Sequence, residues 1–189
     1  MQNTLERAKK IKAILTDVDG ILTDGKVNFF LTPDGRVDEF KSFHTQDGIA
    51  ALLGRKAGLI LGIITGRRHA TTVRRTEILG YHYMYQGFLS KLGPLHDILK
   101  RENLTPEQIA YIGDDITDLP LMKQVGFAAT VPVERHAVQH KTIDSHTIIP
   151  PYKVRAVSET QSTRVAAVSY DCPSHFYPQP GVNFYATNA

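Results

Sequence analysis

Two aspartates spaced two apart, Asp17 and Asp19, end an apolar run in IKAILTDVDGILTDG, residues 11–25. At that spacing on an extended chain both carboxylates point the same way, toward one site. Close carboxylates repel each other unless a cation or a shared proton intervenes. Gly20 follows them and allows a sharp backbone turn. Alone, Asp-x-Asp-Gly also reads as an ordinary turn or a calcium-loop fragment. Three further polar clusters follow apolar runs. Thr65-Gly66-Arg67 closes Leu59–Ile64; its hydroxyl and backbone N–H groups suit an anion, or form a plain turn with a capping threonine. Lys91 opens a helical stretch after Tyr81–Tyr85, either as a solvated charge or reaching back to the same edge. Asp114, Asp115 and Asp118 follow Ile109–Ile112. Three carboxylates so close together point to a metal or a basic partner, although Asp118 also reads as a helix N-cap.

Such residues need a scaffold that brings strand ends together. Apolar runs at 11–15, 59–64, 81–85, 109–112 and 127–131 read as buried parallel strands. Helical patterns alternate with them: Asn3–Lys10, a helix capped by Asp47 and stopped by Gly58, Arg68–Leu79 closed by Gly80, a stretch with Leu92, Leu95, Ile98 and Leu99 inward, and LPLMKQV closed by Gly126. Thr105-Pro106-Glu107-Gln108 is a further helix-start signal. This alternation predicts an α/β fold with a doubly wound parallel sheet, whose right-handed crossovers carry all the β–α junctions to one edge. Between the first strand and the first crossover helix, Val27–Leu31 and Arg36–Phe40 form a short β-hairpin insertion around Thr32-Pro33-Asp34-Gly35. Its apolar surface needs cover, from its own domain or from another subunit.

At 189 residues the chain fits one domain. Its net charge of +3 is too small, and its basic residues too scattered, for a nucleic-acid surface. The single cysteine, Cys172, excludes an internal disulfide and fits a reducing compartment. No signal-peptide pattern opens the chain, and no stretch approaches the ~20 apolar residues of a membrane span. A cytoplasmic protein without nucleic-acid or membrane partners is expected, with its domain over residues 1–159. Residues 160–189 are polar, proline-containing and aperiodic, and read as a loosely ordered tail. His136 and His140 sit four apart but lack a third ligand nearby, and Cys172 lacks an activating pattern.

DVDGILTDG, IITGR, Lys91 in YQGFLSK, and YIGDDITD resemble, in order and spacing, the four motifs of the haloacid dehalogenase (HAD) superfamily. The closer resemblance is to its 3-deoxy-D-manno-octulosonate 8-phosphate (KDO 8-phosphate) phosphatases and their sialic-acid-type relatives. It rests on DVDGILTDG, the hairpin, FHTQDGIAAL, the YQG before the lysine and GDD-x-x-D, and covers about residues 11–132. The resemblance implies a HAD-like sheet with no cap domain. It implies Asp17 as nucleophile, Asp19 as general acid and base, and Thr65, Gly66 and Lys91 on the phosphoryl group. It further implies Mg²⁺ held by Asp17, the Asp19 backbone carbonyl and Asp114, with Asp115 and Asp118 behind them. The implied substrate is a sugar phosphate and the implied assembly a homotetramer. Two departures stand out. Gln46 replaces the arginine usual before Asp47-Gly48, and Pro150–Glu159 replaces a glycine-rich segment, leaving Arg67 and Arg155 as replacement cations for a substrate carboxylate. Three activities fit: a Mg²⁺-dependent sugar-phosphate phosphatase, a non-catalytic HAD-like module of sugar-nucleotide metabolism, and a phosphotransferase. The complete residue set speaks against the second, and the missing cap against the third.

Overall fold

Strand β1 (Ala13–Thr16) runs through the middle of the sheet, and each of its neighbours is parallel to it. The structure is a computed structural model that describes residues 2–131 and 183–186. A short helix, α1 (Gln2–Lys9), leads into β1, and the hairpin strands β2 (Asn28–Leu31) and β3 (Val37–Phe40) follow it. Helix α2 (Thr45–Lys56) then crosses to β4 (Ile60–Thr65), and α3 (Ala70–Leu79) crosses to β5 (Tyr83–Gln86). The next crossover, α4 (Leu92–Glu102), returns to the opposite side of β1, where β6 (Ile109–Ile112), α5 (Leu119–Met122) and β7 (Phe127–Ala129) complete the sheet. A late strand, β8 (Asn183–Ala186), adds to the edge beside β5, giving the order β7-β6-β1-β4-β5-β8. The winding direction reverses at β1, and in open α/β sheets that switch point is where ligands bind, outside the carboxyl ends of the strands.

The strands are buried on both sides, as the near-continuous apolar runs require. Alternate residues feed two cores. Leu15, Ile64, Tyr83, Tyr85, Ile109 and Tyr111 pack with Leu95 and Ile98 of α4 and Leu121 of α5. On the other face Leu61 and Ile63 pack with Ala51 of α2 and Leu79 of α3. The hairpin stands outside both cores. Its register pairs Phe29 with Glu39 and Phe30 with Asp38, and its turn closes through Gly35 N–H to the Thr32 carbonyl at 2.9 Å. Among the described residues no helix is long and apolar enough to cross a membrane.

Several expected boundaries move for local reasons. Helix α2 begins at Thr45 and is capped by His44 in place of Asp47, the His44 imidazole accepting from Gln46 N–H at 3.2 Å. Helix α3 begins at Ala70, not Arg68, because His69 Nδ1 accepts from Thr71 N–H at 3.2 Å. Thr105–Gln108 opens only a 3-10 turn, although Gln108 Oε1 does accept from Thr105 N–H at 3.0 Å. Of the expected tail, Asn183–Ala186 pairs in parallel with β5. His136, His140, Pro150–Glu159, Arg155 and Cys172 lie outside the described residues.

Candidate active site

Asp17 lies one residue beyond β1, where its N–H donates to the Ile112 carbonyl at 2.9 Å. That bond continues the β1–β6 pairing and sets Asp17 beside the loop that follows β6. The loop after β1 folds tightly back: the Val18 carbonyl accepts from Ile21, Leu22 and Thr23 N–H groups at 3.2, 2.8 and 3.1 Å. The buried Thr23 hydroxyl ties the loop, accepting from Gly20 N–H at 3.3 Å and Gly25 N–H at 3.2 Å. Gly20 has φ +86°, and a Cβ there would sit 2.0 Å from Asp114 Oδ2. Glycine is therefore required twice over, by conformation and by the closeness of the second carboxylate loop.

Lys91 joins the two loops. It occupies the N-cap position of α4, and its side chain is 2% exposed. Its Nζ meets Asp17 Oδ2 at 2.7 Å and Asp118 Oδ1 at 2.6 Å. The Tyr111 hydroxyl also donates to Asp118 Oδ1 at 2.6 Å, while Asp114 and Asp115 N–H groups donate to Oδ2 at 3.0 Å each. Four donors on two oxygens use the acceptor capacity of that carboxylate. Asp118 thus acts as a hub that holds Lys91 and the 113–118 loop. Although it precedes α5, it makes no side-chain bond to cap it. The Asp115 carboxylate instead accepts from Ile116 N–H at 2.6 Å and is exposed at the rim. A Cβ at Gly113 would lie 2.5 Å from the Asp118 carboxyl carbon, so the loop closes over the hub only with glycine there.

Asp17, Asp114 and Asp118 bring carboxylate oxygens within 4.8 Å of one another, all buried. Three carboxylates against one ammonium leave a surplus of two negative charges. Burial, opposed by Lys91 and reinforced by Asp118, pushes Asp17 up to about 6. Burial and repulsion from Asp17, Asp118 and Asp115 push Asp114 up to about 7. Burial and the same carboxylates hold the Tyr111 hydroxyl well above its ordinary value, so it stays a donor. Asp114 Oδ1 is buried without a hydrogen-bond partner among the described residues. A hard divalent cation supplies what these oxygens lack: charge compensation and ligation. The donor set and the orphaned oxygen fit Mg²⁺.

Thr65 ends β4 at the same edge, 2% exposed, with its Oγ1 accepting from Arg67 N–H at 3.4 Å. Gly66 follows it, and a Cβ there would lie 3.0 Å from Leu89 Cδ2. Arg67 is 43% exposed at the rim and donates through Nη2 to Glu39 Oε2 at 2.5 Å. The Asp19 side chain is 24% exposed, and one of its oxygens is held by Lys41 Nζ. Gln46 lies exposed in the first turn of α2. Lys41, Glu39, Tyr111 and Thr23 were not evident from motif spacing. Lys41 and Glu39 carried one sequence signal, their alternation on the returning strand of a hairpin that had to fold against something.

No family model matches the chain. A curated KDO 8-phosphate phosphatase from Yersinia pestis is 36% identical over 129 residues, covering 68% of this chain and 67% of that protein. The enzyme of the same name from Escherichia coli K12 is 33% identical over the same length, 66% of its own. The chain thus spans about two thirds of the length of these curated relatives. The crystal structure of the KDO 8-phosphate phosphatase from Moraxella catarrhalis superposes with a TM-score of 0.72 at 35% identity, over 83% of this chain and 88% of that one. The chain belongs to the KDO 8-phosphate phosphatase family. That Moraxella member of the family was solved with a magnesium ion, a phosphate ion and a KDO molecule.

Proposed function

We propose that the chain hydrolyses phosphate monoesters through an aspartyl-phosphate at Asp17, with KDO 8-phosphate or a related acid sugar phosphate as substrate. The observation that carries this reading is the buried Asp17–Lys91–Asp118 chain, with the open carboxylate of Asp114 beside it. An Asp17 oxygen attacks phosphorus in line as the P–O bond to the sugar breaks. Asp19 gives its proton to the departing alkoxide oxygen, then takes one from the water that attacks the aspartyl-phosphate and frees the Asp17 carboxylate. Lys91, Thr65 and the Gly66 backbone hold the phosphoryl oxygens and offset the charge that spreads over them. Asp17, Asp114 and the Asp19 backbone carbonyl hold Mg²⁺, which when bound polarises the phosphoryl group as a Lewis acid. Asp118 keeps Lys91 aimed, and Asp115 supports the rim of the metal loop.

Arg67 supplies a cation for a substrate carboxylate. Glu39 already shares its charge, and Gln46 adds none where the resemblance implies arginine, so selectivity for KDO 8-phosphate is relaxed. The exposed hairpin belongs in a homotetramer interface, where a neighbour also shields the cap-less site. Cytoplasmic placement accords with the single cysteine.

The test is phosphate release with Mg²⁺ from KDO 8-phosphate, nine-carbon acid sugar phosphates and hexose phosphates. Expected are turnover of the acid sugar esters, its abolition by EDTA, and its loss by about 10³-fold or more in Asp17→Asn, with a cooperative thermal melt retained. Hexose phosphates turned over far better than either acid sugar would remove the substrate assignment, and substantial turnover by Asp17→Asn would remove the covalent mechanism.

A further inference from the structure

Lys41 follows β3 by one residue, and only 2% of its side chain is exposed. Lysine is almost never so buried without a partner. Its partner is the carboxylate at the centre of the proposed proton transfers: Nζ donates to Asp19 Oδ1. The other oxygen, Asp19 Oδ2, is buried and has no hydrogen-bond partner among the described residues. One oxygen is therefore held and the other is left without a protein partner among the described residues. We propose that Lys41 is a positioning residue for Asp19, holding Oδ1 so that Oδ2 meets the ester oxygen of the bound substrate. This deepens the phosphatase reading and rests on it.

The backbone supports the assignment. Glu39 lies in β3 two residues before Lys41, a spacing that places both side chains on one face where the chain continues extended past Phe40. Glu39 bonds Arg67 beyond β4 while Lys41 bonds Asp19 beyond β1. The returning strand of the hairpin is thereby tied to two loops of the sheet edge, and Lys41 is delivered from a fixed track. Lys91 cannot substitute for it, since its Nζ is already shared by Asp17 and Asp118.

The prediction separates positioning from general structural support by the leaving group. A sugar alkoxide needs a proton as it departs, whereas p-nitrophenolate does not. In Lys41→Met, kcat/KM for KDO 8-phosphate should fall by about 100-fold and that for p-nitrophenyl phosphate by less than about 5-fold, because only the first depends on the general acid. Lys41→Arg, which keeps a cationic donor, should recover kcat/KM for the sugar ester to within about tenfold of the wild type. An equal loss on both esters, or none, overturns the assignment. Should Lys41→Met fail to fold, as judged by its thermal melt, Lys41→Gln carries the same comparison, and an unchanged ratio between the two esters overturns it. A wild-type chain that hydrolyses neither ester overturns the phosphatase reading itself, and the role of Lys41 with it.

Discussion

At the scale of single residues, the site is a set of carboxylates kept close by one lysine and by backbone donors. Asp17 and Asp114 are held at about 6 and about 7, above the ~3.9 of a free aspartate. Between those values the folded chain binds protons that the unfolded chain has already released. Without a metal, these two groups therefore remove stability as pH rises from about 4 through 7. A bound cation restores it by favouring the ionised forms, and protons compete with it for the same oxygens. The rise in Tm caused by Mg²⁺ should accordingly be large at pH 8 and nearly absent at pH 5. Thermal melts with EDTA and with Mg²⁺ at both pH values check this. Equal increments at the two would contradict the placement of the cation on Asp17 and Asp114.

Among the elements, the hairpin differs most from its surroundings. Phe29, Leu31 and Val37 on one face, and Phe30 and Phe40 on the other, are 43–71% exposed. The Phe30 and Phe40 rings lie 6.1 Å apart, too little contact to bury either. A two-stranded ribbon with apolar side chains on both faces is marginal by itself, and salt bridges at its tip such as Arg36–Asp34 at 2.7 Å add little where exposed. Burial between neighbouring subunits, as in the proposed homotetramer, would cover both faces at once. Light scattering at micromolar concentration should give the proposed tetramer for the wild type and smaller species for Phe29→Ser with Leu31→Ser. Because β3 leads directly to Lys41, the same change should lower kcat/KM for the sugar ester by about tenfold or more. A wild-type monomer with full activity would contradict the role given to the hairpin.

For the molecule as a whole, the parallel sheet and the edge that gathers the candidate site are legible because each of Asp17, Thr65 and Asp114 closes a buried apolar run. Strand β6 falls on the expected residues, and the other strands shift by one or two. What short-range pattern does not carry is contact between distant segments. Tyr111 reads as a core aromatic until its hydroxyl is found on Asp118, and Lys41 as a surface charge until the hairpin brings it across 22 positions to Asp19. Helices α2 and α3 start away from the residues their sequence pattern predicts, because His44 and His69 cap them in place of the usual Asp, Ser or Thr. Asn183–Ala186 had no alternation to mark it, and its pairing depends on the free edge of β5.

In the proposed reaction Asp17 carries the phosphoryl group between sugar and water. Rapid acid quench of the Mg²⁺-loaded enzyme during turnover of KDO 8-phosphate, followed by peptide mass spectrometry, detects that aspartyl-phosphate. Expected is the mass of one phosphoryl group on the peptide bearing Asp17, formed and lost at rates compatible with turnover, and absent in Asp17→Asn. Turnover with no label on Asp17 at any quench time, or label on another residue, would contradict it.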